Sequence, residues 1–144
     1  MSRISLDEYF MKICTAVGER STCCRRKVGA VLVYDKRLLA SGYNGSPVGI
    51  ANCCDVGICL REESKSGENL ATCYAVHAEQ NAICSAARFG ISTEGATLYC
   101  TTKPCNVCAK LIINAGIKEV IYSDDYPDYL TDIILAPIKL TKFK

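Results

Sequence analysis

The sequence predicts a three-layer α/β domain, a mixed sheet with helices on both faces. Three observations predict it. Two β-rich runs early in the chain meet at a short polar turn, which is the pattern of an antiparallel hairpin. Later β-rich runs alternate with helical ones, so they need crossover connections and parallel pairing. Apolar residues make up 49% of the 144 positions, enough for a core between layers. No composition shift, repeat or low-complexity tract divides the chain, so residues 1–144 are expected to form one domain.

The elements follow in order. Ser5 can cap a helix running to Glu19, with Glu8 three residues on. Leu6, Tyr9, Phe10, Ile13 and Val17 repeat at helical spacing and predict its buried face. Val28–Tyr34 and Leu38–Tyr43 are the hairpin strands, turning at Asp35-Lys36. Asn44–Val76 then loses periodicity and holds glycines, a proline and four cysteines. So long a loop in a compact domain is expected to be functional or held by something. His77–Phe89 returns to helical spacing and Gly90 can end it. Ala96–Thr101 reads as a strand, Cys105–Ala115 as a helix ended by Gly116, and Glu119–Ser123 as a strand. Asp128–Leu135 reads as a short helix before Pro137, followed by a tail.

Composition narrows the class. Net charge is +2, too small to mark a nucleic-acid surface. A local cluster of Arg20, Arg25, Arg26 and Lys27 has the charge to meet one phosphate, although a solvated basic turn would look the same. No apolar run is long enough to cross a bilayer, and Met1–Glu8 lacks the pattern of a secretory signal. The expectation is a cytoplasmic protein with no membrane partner. Eleven cysteines in a reducing compartment point to metal binding or catalysis rather than disulfides. Cys14, Cys84 and Cys100 sit in apolar patterns and are expected to be small buried hydrophobes.

The chemistry concentrates at two helix starts. His77-Ala78-Glu79 opens one, and Pro104-Cys105-Asn106-Val107-Cys108 opens the next. Zinc takes imidazole nitrogen and thiolate sulfur, and Cys105 and Cys108 share a face in a first helical turn. His77 completes a set of three, which leaves the fourth tetrahedral position open, as catalytic zinc requires. The helix N-termini favour thiolate over thiol. Glu79 stands two residues from His77, so it is not expected to ligate. It can reach the open position and take a proton from zinc-bound water, whose pKa falls to about 7 on such a metal. His77 is the only histidine, and a lone histidine is usually structural. Its place two before a glutamate and upstream of Pro-Cys-x-x-Cys reproduces the zinc deaminase signature.

The chain resembles the deoxycytidylate deaminases over almost its whole length. The segments carrying the resemblance are Arg20-Ser21-Thr22-Cys23, Lys27-Val28-Gly29-Ala30-Val31 and Gly42-Tyr43-Asn44-Gly45-Ser46-Pro47, with His77–Ile83 and Pro104–Lys110. The resemblance extends to the bacterial branch once labelled late-competence proteins. The resemblance implies a cytidine-deaminase-like α-β-α fold with a mixed sheet of about five strands. It implies conversion of dCMP to dUMP for thymidylate synthesis, with attack at C4 of cytosine and Glu79 shuttling protons. Asn44 is implied near the sugar. Arg20, Ser21 and Arg88 are implied more weakly, as phosphate or neighbouring-subunit contacts. Arg88 near a helix C-terminus also suits simple dipole complementarity.

The resemblance further implies a homo-oligomer, hexamer or dimer, with dCTP and dTTP as effectors. A second, structural zinc is implied at Cys23 and one loop cysteine. Cys23, Cys53, Cys59 and Cys73 would form a closed four-thiolate set. The pairs Cys23-Cys24 and Cys53-Cys54 leave open which member of each binds. Two other readings stay open. One is a deaminase acting on guanine, on tRNA adenosine or on a riboflavin precursor. A tRNA enzyme should show a stronger basic face, and the riboflavin enzyme usually carries a reductase domain. The other is a zinc-stabilised competence accessory protein without chemistry, against which Glu79 speaks.

Overall fold

A computed structural model describes residues 1–144. Ser5 caps the first helix, accepting from the Glu8 N–H at 3.1 Å, and α1 runs Leu6–Gly18. Strands β1 (Gly29–Tyr34) and β2 (Arg37–Tyr43) pair antiparallel. Asp35 and Lys36 between them both have positive φ, 49° and 62°, the left-handed pair that closes a two-residue hairpin. The long connection that follows is mostly irregular. It holds a one-turn helix α2 (Cys53–Val56), a 3₁₀ turn over Leu70–Thr72 and an isolated bridge between Gly45 and Val76. Then come α3 (Ala78–Arg88), β3 (Thr97–Thr102), α4 (Asn106–Asn114), β4 (Glu119–Asp124), α5 (Tyr129–Ile134) and β5 (Lys139–Lys142).

The strands form one mixed sheet in the order β2-β1-β3-β4-β5. β3 is antiparallel to β1 and parallel to β4, and β4 is parallel to β5. Alternation along each strand sorts the two faces. Val31, Val33, Tyr99 and Ile121 pack with Phe10, Met11 and Cys14 of α1. Ala30, Leu32, Leu98, Cys100, Val120 and Tyr122 pack with Ala82, Ala86, Cys108 and Ile112 on the other side. This is the expected three-layer arrangement. No helix is long and apolar enough to cross a membrane.

Three expectations need correction. The buried face of α1 is narrower at its start than predicted: Leu6 and Tyr9 are 43% and 48% exposed, while Phe10 is buried, Ile13 and Val17 pack against the core, and Met11 and Gly18 are buried beside them. The reason is a close approach of backbones. A Cβ on Gly29 would lie 2.0 Å from the Cys14 carbonyl oxygen and 2.7 Å from the Gly18 nitrogen, so the helix settles on β1 along its Cys14–Gly18 edge. Cys84 is exposed on α3, unlike Cys14 and Cys100, which are fully buried. The tail after Pro137 is a fifth strand. Lys139-Leu140-Thr141-Lys142 is short and charged at both ends, which hides it in the sequence and suits an edge strand.

Candidate active site

The two helix starts meet beyond the carboxyl ends of β3 and β4. His77 is the residue before α3, with extended backbone (φ −71°, ψ 155°), and its N–H donates to Gln80 Oε1 at 2.8 Å. Gly42 of β2 lets α3 come close: a Cβ there would lie 2.4 Å from both the Ala78 oxygen and the Ala82 nitrogen. Asn81 fastens the same turn by donating from Nδ2 to the Tyr43 carbonyl at 2.8 Å. Cys105 occupies the matching place before α4. Asp128 Oδ2 accepts from the Asn106 backbone N–H at 2.7 Å and from its side chain at 2.8 Å. The buried Thr131 hydroxyl donates to the Pro104 carbonyl at 2.8 Å. α5 therefore holds the Pro104-Cys105-Asn106 corner in place.

His77, Cys105 and Cys108 present ligand atoms that all lie within 4.8 Å of one another. His77 Nδ1 is 3.2 Å from Cys108 Sγ and 3.4 Å from Cys105 Sγ. The hydrogen bond from Cys108, together with His77, holds the Cys105 thiol down to about 4. The Cys105 sulfur beside it and burial push the Cys108 thiol up. The His77 imidazole is held above its ordinary value, chiefly by its bond to Cys105. One thiolate, one thiol and one imidazole thus crowd a space that a cation would relieve. This nitrogen-and-two-sulfur set suits zinc, leaving one tetrahedral position for chemistry.

Glu79 is 4% exposed and accepts from the Cys108 thiol at 3.4 Å through Oε2. Burial pushes its carboxyl above the ordinary range. It stands beside the trio without joining it, as its spacing from His77 predicts. A pocket opens above these residues. Glu79 is the only acid in its lining, whereas Arg25, Arg26, Arg61 and Lys103 all contribute to it.

Residues 4–124 match the cytidine and deoxycytidylate deaminase zinc-binding region. The chain belongs to this deaminase family. It is 44% identical over 126 residues to the deoxycytidylate deaminase of Saccharomyces cerevisiae, covering 88% of this chain and 40% of that protein. It is 46% identical over 126 residues to ComE operon protein 2 of Bacillus subtilis, covering 88% of this chain and 63% of that one. The chain thus spans less than two thirds of either relative. The structure of a dCMP deaminase from the cyanophage S-TIM5, in complex with dCMP and dUMP, superposes with a TM-score of 0.82 at 32% identity, covering 99% of this chain and 100% of that one.

The substrate contacts implied by the deaminase resemblance are scattered. Asn44 lines the pocket and is buried. Its amide is occupied by backbone, accepting from the Val28 N–H at 2.9 Å and donating to the Arg26 carbonyl at 2.7 Å. Ser21 lies behind it, its hydroxyl donating to the Asn44 carbonyl at 2.9 Å. Arg20 is exposed and outside the lining. Arg88 ends α3 at the turn farthest from His77, 5.7 Å over the Phe89 ring. Arg25 and Arg26, half anticipated as a basic cluster, do reach the pocket. Arg61, Lys103 and Tyr126 were not singled out. Two of them carried a signal: Lys103 adjoins the Pro-Cys-x-x-Cys motif and Tyr126 follows a strand end, where open sheets bind ligands.

Cys23, Cys59 and Cys73 lie near enough to Cys53 for their charges to act on it. Burial pushes the Cys53 thiol up, and nearby Cys23, Cys73 and Cys59 add to the rise. Their ligand atoms do not converge as closely as the His77 trio.

Proposed function

We propose that this chain is a zinc-dependent hydrolase converting dCMP to dUMP and ammonia, and so supplying dUMP for thymidylate synthesis. The observation carrying this reading is the buried carboxylate of Glu79 beside a histidine-and-two-cysteine set, at the floor of a pocket rimmed by cations. His77, Cys105 and Cys108 would hold the zinc. When bound, it supplies Lewis acidity and a water acidified to about pKa 7.

The chain's own residues do the rest. Glu79, its affinity for a proton raised by burial, is suited both to take a proton and to return one. It takes one proton from the water whose oxygen bonds to C4 and gives it to ring nitrogen N3, then takes the proton of the new C4 hydroxyl and gives it to the departing amine as the C4–N bond breaks. Ammonia leaves with that second proton and a carbonyl remains at C4. The apolar walls of Val28, Leu70 and Ala78 limit water around the base. Glu79→Gln keeps shape and hydrogen bonds but cannot shuttle protons. It should retain zinc and lose about 10²- to 10⁴-fold in kcat for ammonia release from dCMP. Equal turnover by the variant would overturn the assignment. Bound zinc with no turnover of dCMP by the unaltered chain, with or without dCTP, would shift the substrate to guanine or a tRNA anticodon stem.

The proposal has four further parts. A second zinc at Cys23, Cys53, Cys59 and Cys73 is supported by the nearness of the other three to Cys53. Self-association is supported by exposed Leu111, Tyr129 and Ile133 on α4 and α5, and sedimentation would measure it. Residence in the cytoplasm is supported by eleven cysteines, all free. Effector action by dCTP and dTTP rests on the resemblance alone, and velocity against dCMP at fixed effector would test it.

A further inference from the structure

The four pocket cations are not equivalent. Lys103 Nζ is paired to Asp132 at 2.8 Å. Both terminal nitrogens of Arg25 donate to backbone carbonyls, those of Arg61 and Ser64. Arg26 donates to the Ser66 hydroxyl at 3.1 Å and lies 5.4 Å over the Tyr126 ring. Arg61 donates only through Nε, to the Glu68 carbonyl at 2.8 Å. Its two terminal nitrogens have no protein partner, and no carboxylate pairs with it. It is half-buried and lines the same pocket as Glu79.

The segment bearing Arg61 is fixed over that pocket. Arg25 grips its backbone at two carbonyls. Asn69 donates to the Ser64 hydroxyl at 2.7 Å and adopts a left-handed conformation, φ 55°. Gly67, φ 84°, lies against Tyr126: a Cβ there would be 3.5 Å from the Tyr126 hydroxyl oxygen. Arg61, Arg26 and Tyr126 line one pocket, with Arg26 over the Tyr126 ring, and the charges of both arginines oppose the rise that burial imposes on the Tyr126 phenol.

We infer that Arg61 is the specificity-determining residue for the charge of the substrate, its free guanidinium nitrogens receiving the 5′-phosphate of a nucleoside monophosphate. Arg25 is its positioning residue, and Arg26 is the second cation facing the anion. A planar guanidinium with its terminal nitrogens unpaired matches two phosphate oxygens at once. A nucleoside gains nothing from Arg61. This inference rests on the deaminase reading of the same pocket.

The test compares kcat/KM for dCMP and for deoxycytidine, at equal zinc content, in the unaltered chain and in Arg61→Gln, Arg61→Lys and Arg25→Gln. Arg61→Gln should lower kcat/KM for dCMP by about 10- to 100-fold, mostly through KM, and leave the deoxycytidine value within about twofold. Arg61→Lys should recover part of the loss. Arg25→Gln should raise KM for dCMP with kcat held. An equal fall on both substrates, or no fall on dCMP, overturns the inference and leaves the deaminase reading intact. Failure of the unaltered chain on both substrates overturns the two together. Unchanged thermal unfolding of Arg61→Gln separates a binding effect from a folding one.

Discussion

Proton occupancy of the ligand set sets the terms for metal capture. Cys105 is already a thiolate at neutral pH, with its value near 4, whereas the Cys105 sulfur beside it and burial keep the proton on Cys108. Zinc binding must release the Cys108 proton and any proton on His77, so affinity rises with pH. Competition against a chromophoric chelator between pH 6 and 8 should show a gain of about tenfold per pH unit for each proton released. A flat profile would mean that both sulfurs are thiolates before the metal arrives. The trio was legible in the sequence because metal chemistry fixes both residue type and local spacing. Arg61 was not. Its role depends on which hydrogen-bond partners the other cations find, and those partners lie up to 40 residues away along the chain.

At the scale of elements, two contacts set where the helix starts sit. Asp128 caps α5 through the Leu130 N–H and also receives the first N–H of α4. Burial pushes its carboxyl up, but the bonds from Asn106, Leu130 and Thr131 outweigh this and hold it below the usual range. Its stabilising contribution is therefore complete above the ordinary aspartate value of about 3.9 and fades as pH falls through the lower folded value. Asp128→Ala should cost about 1–2 kcal/mol in urea unfolding at pH 7, and the deficit should shrink at acid pH. Gly42 is the second contact. Gly42→Ala drives a methyl into the backbone of Ala78 and Ala82 and lifts α3 from β2. A loss of about 1–3 kcal/mol is expected, with weaker zinc binding because His77 moves with the helix. Helix and strand types were legible from periodicity, and most ends fell within two residues. The exposure of Leu6 and Tyr9 was not, because the Gly18–Gly29 contact that seats α1 on β1 has no counterpart in apolar spacing.

For the whole molecule, the connection between β2 and α3 is the least regular part. It carries little regular structure beyond one helical turn and one 3₁₀ turn, yet it forms a wall of the pocket. A thiolate-bound metal would supply the missing order. Two zinc ions per chain are expected, and serine at Cys53 and Cys73 should remove one of them and lower Tm, while the His77 set stays loaded. One zinc per chain with unchanged Tm would reject the second site. The layered fold was legible because alternation and crossover rules constrain it; the packing of an aperiodic loop is constrained by neither. His77 is the sole imidazole of the chain, and it turns Nδ1 toward both sulfurs. A metal bound there fixes the ring as the Nε2–H tautomer. Nitrogen-15 spectra of uniformly labelled protein therefore contain a single imidazole pair, and metal loading can be followed through it without a substitution or a substrate.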